Sequence, residues 1–381
     1  MEALTWYEFF AGGGMARIGM GPQWTCSFAN EWCEKKAASY RAFFGGEELR
    51  VCDVARLEPD DLPGVPALIW ASFPCQDLSL AGSGAGLNGA RSGAFRPFWR
   101  LVRSTVEAGR IPKLVVLENV VGALTSHDGR DFSFIAGALA ESGYKVGALV
   151  LDAVHFLPHS RPRLFIVACH ASLNIPARLM FDAPSGKWHP RSLISAHGRL
   201  PAPLQKSWVW WRLPEPDHSV AELSALIEEE PSGVKWHTKE QTDRLLSLMS
   251  PVHVEKLAQA KSLGKRITGT VYKRMRPEES GNRTQRAEIR FDQISGCLRT
   301  PVGGSSRQLI VVVDGRQVRS RLLSPREAAR LMGVPESYPV PANYNEAYHL
   351  FGDGVAVPVV SWLAKHLLRP LAVSSKLVKA A

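Results

Sequence analysis

Two side chains of this sequence are placed for covalent chemistry. Cys75 follows Pro74 in "SFPCQDLS", where the apolar run "ALIWASF" stops and a polar loop containing Gly82, Gly84, Gly86, Gly89 and Gly93 begins. Proline ends a strand because it has no N–H to donate, and the glycines let the loop close over a bound group. A lone cysteine is more often an inert small hydrophobe than a nucleophile. Glu118 shifts that balance, because "KLVVLENV" puts a carboxylate at the end of the next buried run, where it costs free energy unless it is partnered. A thiolate and an acid on adjacent strand ends suit attack on an electron-poor heteroaromatic ring, followed by alkylation. Cytosine C6 is such an electrophile once N3 is hydrogen-bonded or protonated.

Alkylation calls for a nucleoside cofactor, and the start of the chain has the parts for one. "FFAGGGMARIGMG" sets Gly12 and Gly14 at a strand-to-helix turn, where a missing Cβ lets a ligand approach the backbone. Gly19 comes next, so the spacing is not G-x-G-x-x-G. Glu31 ends the second apolar run about 20 residues after the turn, where an acid holds ribose hydroxyls. Asp53 ends the third, where an adenine would lie. These residues leave a dinucleotide and S-adenosylmethionine both open.

The elements that must position these groups repeat one phrase, a short apolar run followed by a helix-sized segment. The runs are "LTWYEFF", "CSFANE", "LRVCDV", "ALIWASF", "KLVVLENV", "GALVLDAV" and "RLFIVAC". Strands buried on both faces and separated by helices predict βαβ units and a parallel sheet. The fold class is therefore α/β, doubly wound and Rossmann-like, with ligands outside the carboxyl ends of the strands. Gly12, Gly14, Glu31, Asp53, Cys75, Glu118 and Asn119 all fall on that rim. Beyond Pro184 the periodicity breaks into tryptophans, prolines and scattered charges until "SPREAARLMGV", where Ser324 and Glu327 have capping-box spacing. This predicts a cofactor-binding domain over 1–184 and a smaller, mixed second domain over 185–335. The segment 336–381, with the apolar-faced "GVAVPVVSWLAKHLL", returns to the first domain, and the tail "AVSSKLVKAA" frays.

At 381 residues the chain exceeds one core. Its six cysteines show no C-x-x-C pair, no zinc spacing and no secretory leader, which predicts reduced thiols, no metal and a cytoplasmic setting. No apolar run reaches the roughly 18 residues of a membrane span. The net charge of +10 and pI of about 9.4 favour a polyanionic partner. Residues 261–290 carry nine Lys or Arg against three Glu. Lys273, Arg274, Arg276 and Arg286 there can contact phosphates, with close backbone approach at Gly303 and Gly304. Arginine can also read guanine.

In order and spacing, these segments resemble the DNA (cytosine-5)-methyltransferases of bacteria and phages. The resemblance lies in "FFAGGGMARIGMG", "NEW" at 30–32, Asp53-Val54, Pro74-Cys75-Gln76 with Arg91-Ser92-Gly93, Glu118-Asn119-Val120, Arg161-Pro162-Arg163, "SPREAARLMGVP" and "YHLFGDGVAVPV". It covers nearly all of the chain outside the middle. It implies an S-adenosylmethionine pocket shaped by Phe10, Ala11, Gly12, Gly14, Trp32, Val54, Pro74, Asp353 and Val355. Glu31 would bind the ribose and Asp53 the adenine amine. Cys75 would add to C6 of a flipped-out cytosine, Glu118 would hold N3 and the exocyclic amine, and Asn119 would support the loop. Arg163 and Arg161 would contact the base edge or its phosphate, and Arg91 and Ser92 the DNA. S-adenosylhomocysteine would be the product.

Three positions depart from the family pattern. His159 replaces a usual glutamine, Met332 falls where "RLQG" is common, and Asp353 replaces a frequent asparagine, read here as the N-cap of the last helix. The family further implies a monomer acting on double-stranded DNA at the nucleoid, with a cognate restriction endonuclease as a possible partner. An RNA cytosine-5 methyltransferase, a nicotinamide-dependent oxidoreductase and a non-catalytic DNA-binding protein are the rival readings. The oxidoreductase leaves Cys75, Glu118 and the basic cluster without a role, and binding alone needs neither Cys75 nor Glu118.

Overall fold

All seven apolar runs are strands of one sheet: β1 (Leu4–Phe9), β2 (Trp24–Glu31), β3 (Leu49–Val51), β4 (Leu68–Ala71), β5 (Leu114–Val120), β6 (Tyr144–Asp152) and β7 (Pro162–His170). Their order is β3-β2-β1-β4-β5-β7-β6. The computed structural model describes residues 4–74, 94–216, 219–278, 281–299 and 307–374. Cys75, Arg91, Ser92, Gly303 and Gly304 lie outside them.

β1 to β5 run parallel, connected through α1 (Met15–Met20), α2 (Glu34–Phe44) and α3 (Phe95–Glu107), with α4 (Arg130–Glu141) leading to β6. β7 is antiparallel to both its neighbours, a departure from the expected parallel sheet. No α-helix lies between β6 and β7, and a parallel partner would need a crossover of a dozen or more residues. The start of β7 thereby reaches the rim where β5 ends, with Val120 opposite Arg163.

Tyr7, Phe9, Ile69, Ala71, Val115 and Leu117 face one core with Phe98 and Leu101 of α3 and Phe132 and Ile135 of α4. Each of the buried Val, Leu, Ile and Phe side chains among them contributes about 1.5–3 kcal/mol. The second face brings α5 (Val357–Leu363) onto α1. A Cβ on Gly19 would sit 2.5 Å from Val360 Cβ and 2.8 Å from the Val357 carbonyl, so this helix pair needs glycine there.

The chain forms two units, Met1–Asp152 with Pro162–Pro216 and Val357–Ala381, and Ala153–Arg161 with Asp217–Ala356. These limits differ from the 184 and 335 read from sequence. Residues 185–216 stay with the first unit because Trp211, fully buried, donates its indole N–H to the Val167 carbonyl at 3.1 Å. Residues 336–356 stay with the second, where the Gln308 amide donates to Tyr348 Oη at 2.8 Å.

The second unit holds an antiparallel sheet ordered Arg283–Arg290, Ile267–Pro277, Leu309–Asp314, Gln317–Leu322. Its core includes Leu245, Met249, Val271, Ile289, Leu309 and Val311. The capping box is present, with Ser324 Oγ accepting the Glu327 amide at 3.1 Å and the Ser324 amide donating to Glu327 at 2.7 Å. Glu327 also forms a fully buried pair with Arg321 at 2.6 Å. No described helix is long and apolar enough to cross a membrane.

Candidate active site

The order β3-β2-β1-β4-β5 reverses direction between β1 and β4, and the crevice outside the carboxyl ends at such a point is where open α/β sheets bind ligands. The glycine turn leaves β1 on one side of this point. Phe73 and Pro74 leave β4 on the other.

The turn is left-handed at Phe10 (φ 59°), Gly12 (φ 57°) and Gly14 (φ 79°), and its two glycines serve different ends. A Cβ on Gly14 would lie 3.0 Å from the Tyr40 ring and closer still to Phe44, whereas one on Gly12 would meet nothing within 4 Å. Gly14 is therefore a packing requirement, and Gly12 keeps the backbone open to a ligand. Phe10 is held by the edge of Phe98, with centroids 6.1 Å apart. The Ala11 amide donates to the Asn30 carbonyl at 2.9 Å.

Glu31, buried at the end of β2, accepts three backbone amides: Gly12 at 2.8 Å on Oε2, and Trp32 at 3.0 Å and Cys33 at 2.8 Å on Oε1. The amides fix the carboxylate, and each oxygen has two acceptor sites, so Oε2 keeps one for a hydroxyl. Trp32 beside it is 71 % exposed, a flat apolar surface on the rim suited to stack on a purine. Asp53 is exposed and caps the short turn Val54–Arg56 through the Ala55 amide at 2.9 Å. Val54 is buried below it. Asn30 secures this corner by donating to the Arg50 and Cys52 carbonyls at 3.2 and 3.0 Å. An open glycine, a fixed acid, an exposed indole and a second acid fit an adenosine-bearing cofactor.

The other side of the switch point carries a further acid. Glu118 is buried at the end of β5, with Arg163 Nε 3.2 Å from its Oε1. Arg163 also donates to the Pro162 carbonyl at 2.9 Å. Asn119 donates to the Phe73 carbonyl at 3.3 Å and accepts the Val120 amide at 2.8 Å, so it braces the residue before Pro74.

Arg161 corrects the reading from sequence. It belongs to the second unit, is 1 % exposed, and donates to the carbonyls of Leu298 (3.0 Å), Gly352 (2.7 Å) and Gly354 (2.6 Å). A guanidinium so committed joins backbone segments and is not placed to contact a base. Asp353 and Val355 are also in the second unit. Asp353 is the last residue of the helix Tyr344–Asp353, and the next helix starts at Val357, so Asp353 does not cap the final helix. His159 is fully buried and accepts the Leu298 amide on Nε2 at 3.1 Å, leaving Nδ1 to donate to the Leu331 carbonyl at 2.8 Å. Met332 is a core residue.

The basic cluster forms the two-stranded ribbon Ile267–Pro277 and Arg283–Arg290. Arg274 stands opposite Arg286 and Arg276 opposite Thr284, all on one face. Each arginine there has an acid: Arg274 and Arg276 share Glu288 at 3.4 and 2.5 Å, and Arg286 meets Glu278 at 3.4 Å. Lys273, opposite Ala287, is on the other face, with the core residues Val271 and Ile289.

The sequence reading passed over Glu8, an acid inside the run "LTWYEFF" that is buried on β1. Its signal was available, since a carboxylate within an apolar strand needs an explanation.

Known proteins resemble this chain along its whole length. A model of the family described as C-5 cytosine-specific DNA methylase matches residues 4–369. Type II methyltransferase M.BsuFI of Bacillus subtilis is 28 % identical over 95 % of this chain and 71 % of its own. Type II methyltransferase M.HpaII of Haemophilus parainfluenzae is 27 % identical over 97 % of this chain and 90 % of its own. Among solved structures, the Dnmt2 methyltransferase of S. pombe superposes with a TM-score of 0.59 at 18 % identity, covering 97 % of this chain and 99 % of that one, a likeness of fold.

Proposed function

The chain belongs to the C-5 cytosine-specific DNA methylase family, and from that premise we propose that it methylates C5 of a flipped-out cytosine in duplex DNA, with Cys75 as nucleophile and Glu118 as the group that activates the ring. The observation that carries this reading is the buried Glu118–Arg163 pair, which stands on the same strand-end rim as the glycine turn.

S-adenosylmethionine, when bound, supplies the methyl group for C5. Gly12, Glu31, Trp32 and Asp53 would hold it, with Glu31 on the ribose and Asp53 on the adenine. Extrusion of the base is needed because ring atoms inside a stacked duplex are out of reach. The Cys75 thiolate forms a bond to C6, and the electrons of the C5–C6 double bond move toward N3. A buried acid at N3 opposes the charge that collects there, a contribution of about 10²–10⁴ in rate for positioned proton transfer. Arg163 holds the carboxyl of Glu118 against its strand while the base arrives. After methylation C5 loses its proton, the double bond re-forms and the Cys75–C6 bond breaks, which frees the enzyme. Asn119, through the Phe73 carbonyl, holds the backbone just ahead of Pro74 and Cys75.

The test is transfer of labelled methyl from S-adenosylmethionine to duplex DNA containing 5-fluorocytosine, with wild type and Cys75→Ala. Fluorine at C5 blocks proton loss, so wild type should be trapped as a covalent protein–DNA adduct that Cys75→Ala does not form. Transfer to RNA and none to duplex DNA would move the substrate to RNA, and an adduct that survives in Cys75→Ala would remove Cys75 as nucleophile.

A further inference from the structure

Arg17 is the third residue of α1, the helix that leaves the glycine turn. That helix has six residues, Gly14 as its N-cap and no side-chain acceptor for its first amides. A helix so short has no stability of its own, so its direction, and that of the turn behind it, is set by what holds it. Gly19 and Arg17, two residues apart, point to different faces. Gly19 packs on Val360. Arg17 Nη1 donates to Tyr40 Oη at 2.8 Å and to Glu48 Oε1, and its guanidinium lies 4.2 Å from the centroid of the Phe44 ring. Tyr40 donates to the same Glu48 oxygen at 2.9 Å.

Glu48 closes the set. It precedes β3, and its carbonyl accepts the amide of Ala29 on β2 at 3.0 Å, two residues before Glu31. One residue thus meets β2 through its backbone, α1 through Arg17 and α2 through Tyr40. The α2 rings involved, Tyr40 and Phe44, are the two that a Cβ on Gly14 would strike. α2 itself starts at Glu34, three residues after Glu31. The turn and the Glu31–Trp32 corner are therefore joined twice, by the bond from the Gly12 amide to Glu31 and by these side chains.

We propose that Arg17, Tyr40 and Glu48 are positioning residues for cofactor binding, a triad that fixes the glycine turn against the Glu31–Trp32 corner. This deepens the reading of the turn as the S-adenosylmethionine site and rests on it. The side chains of Arg17 and Glu48 are only 23 % and 14 % exposed and Tyr40 is fully buried, so the set escapes most of the screening that weakens surface pairs. Arginine suits the place because a planar guanidinium stacks on a ring while its N–H groups meet two oxygens. Without it, Glu48 is left shielded and lacking its cation. A turn loosened in this way has to be ordered again when the cofactor binds, and the cost appears in affinity.

The experiment measures calorimetric affinity for S-adenosylmethionine, the KM and kcat of methyl transfer to DNA, and melting temperature. Arg17→Ala and Glu48→Ala should each weaken affinity and raise the cofactor KM about tenfold, with kcat at saturating cofactor unchanged. The double variant should be no more than about twofold weaker than either single one, because the two residues act as a unit. Arg17→Lys keeps the charge and loses the planar stack, so it should weaken affinity about threefold. Tyr40→Phe keeps the ring beneath Gly14 and Glu48→Gln keeps an oxygen acceptor, and both should stay within about threefold of wild type. Ile135→Val, a core change on α4, should lower the melting temperature and leave affinity unmoved.

Lower melting temperatures in both Arg17 variants with unmoved affinity would reduce the triad to structural residues and overturn the proposal. Additive losses in the double variant would overturn it too, as would an equal loss of affinity in Ile135→Val. Glu31→Ala tests the reading beneath: wild-type affinity there would show that the cofactor does not bind at this turn, and the proposal would fall with that reading. Weakened binding in Glu31→Ala beside unmoved Arg17 variants would overturn the triad alone.

Discussion

The two buried acids on the strand-end rim, Glu31 and Glu118, are held in opposite ways. Glu31 is fixed by three backbone amides, which no side-chain substitution can remove. Glu118 is held by another side chain, Arg163, on the strand that runs the other way. The difference fits the tasks proposed for them. A ribose presents the same hydroxyls throughout the reaction, and a carboxylate locked by the backbone loses no side-chain entropy on meeting them. A base that arrives, gathers charge and departs is better served by an acid whose partner can shift with it.

That contrast predicts a clean separation. Glu118→Gln should lower kcat by about 10²–10⁴ and leave S-adenosylmethionine affinity within about twofold. Glu31→Gln should do the reverse, weakening affinity by roughly 10- to 100-fold, the worth of hydrogen bonds to a charged group, with a smaller effect on the saturated rate. Equilibrium binding and single-turnover methylation on the same preparations decide it. If both variants lost affinity and rate together, the rim would be one indivisible site and the comparison would fail.

Arg161 and Arg163 repeat the contrast two residues apart. Arg161 bonds backbone carbonyls, whereas Arg163 balances a carboxylate. Arg161→Ala orphans buried carbonyls at about 1–3 kcal/mol each and should lower the denaturation midpoint more than any change in the ribbon does. Arg163→Ala uncovers a buried charge, which costs about 3–5 kcal/mol. Adding Glu118→Gln should recover much of that loss, while no second carboxylate substitution is expected to rescue Arg161→Ala. Urea titrations of the single and double variants measure both.

These particulars also show what the sequence conveys. The seven strands and their carboxyl-end acids were legible because burial on both faces writes continuous apolar runs and an acid at the end of a run stands out. The reversed direction of β7 was not, since an apolar run has no polarity; only the missing helix between β6 and β7 hinted at it. Arg161 and Arg163 look equivalent in "RPR", and only the carbonyls around one and the carboxylate beside the other tell them apart. The limits of the second unit by contacts differ from those read from sequence because Trp211 and Tyr348, which tie 185–216 and 336–356 to their units, make contacts far away in sequence. Glu8, an acid inside the apolar run of β1, was legible in the sequence but was passed over.

The ribbon offers the smallest effect and the finest test of exchangeable pairing. Arg274, Arg276 and Arg286 leave 46 %, 50 % and 39 % of their side chains exposed, and surface pairs of this kind contribute about 0–1 kcal/mol, so a DNA phosphate can replace Glu288 or Glu278 at little cost. Each phosphate contact adds about 0.9 to the slope of log K against log salt. Replacing all three arginines with alanine should therefore flatten the slope by roughly 2–3 with little change in folding stability. Lys273 lies on the opposite face of the strand, so Lys273→Ala should leave the slope unaltered. If the lysine changed it as much as an arginine did, the DNA-facing side of the ribbon would be the other one, and the acids beside the arginines would be fixed structural partners like the amides around Glu31.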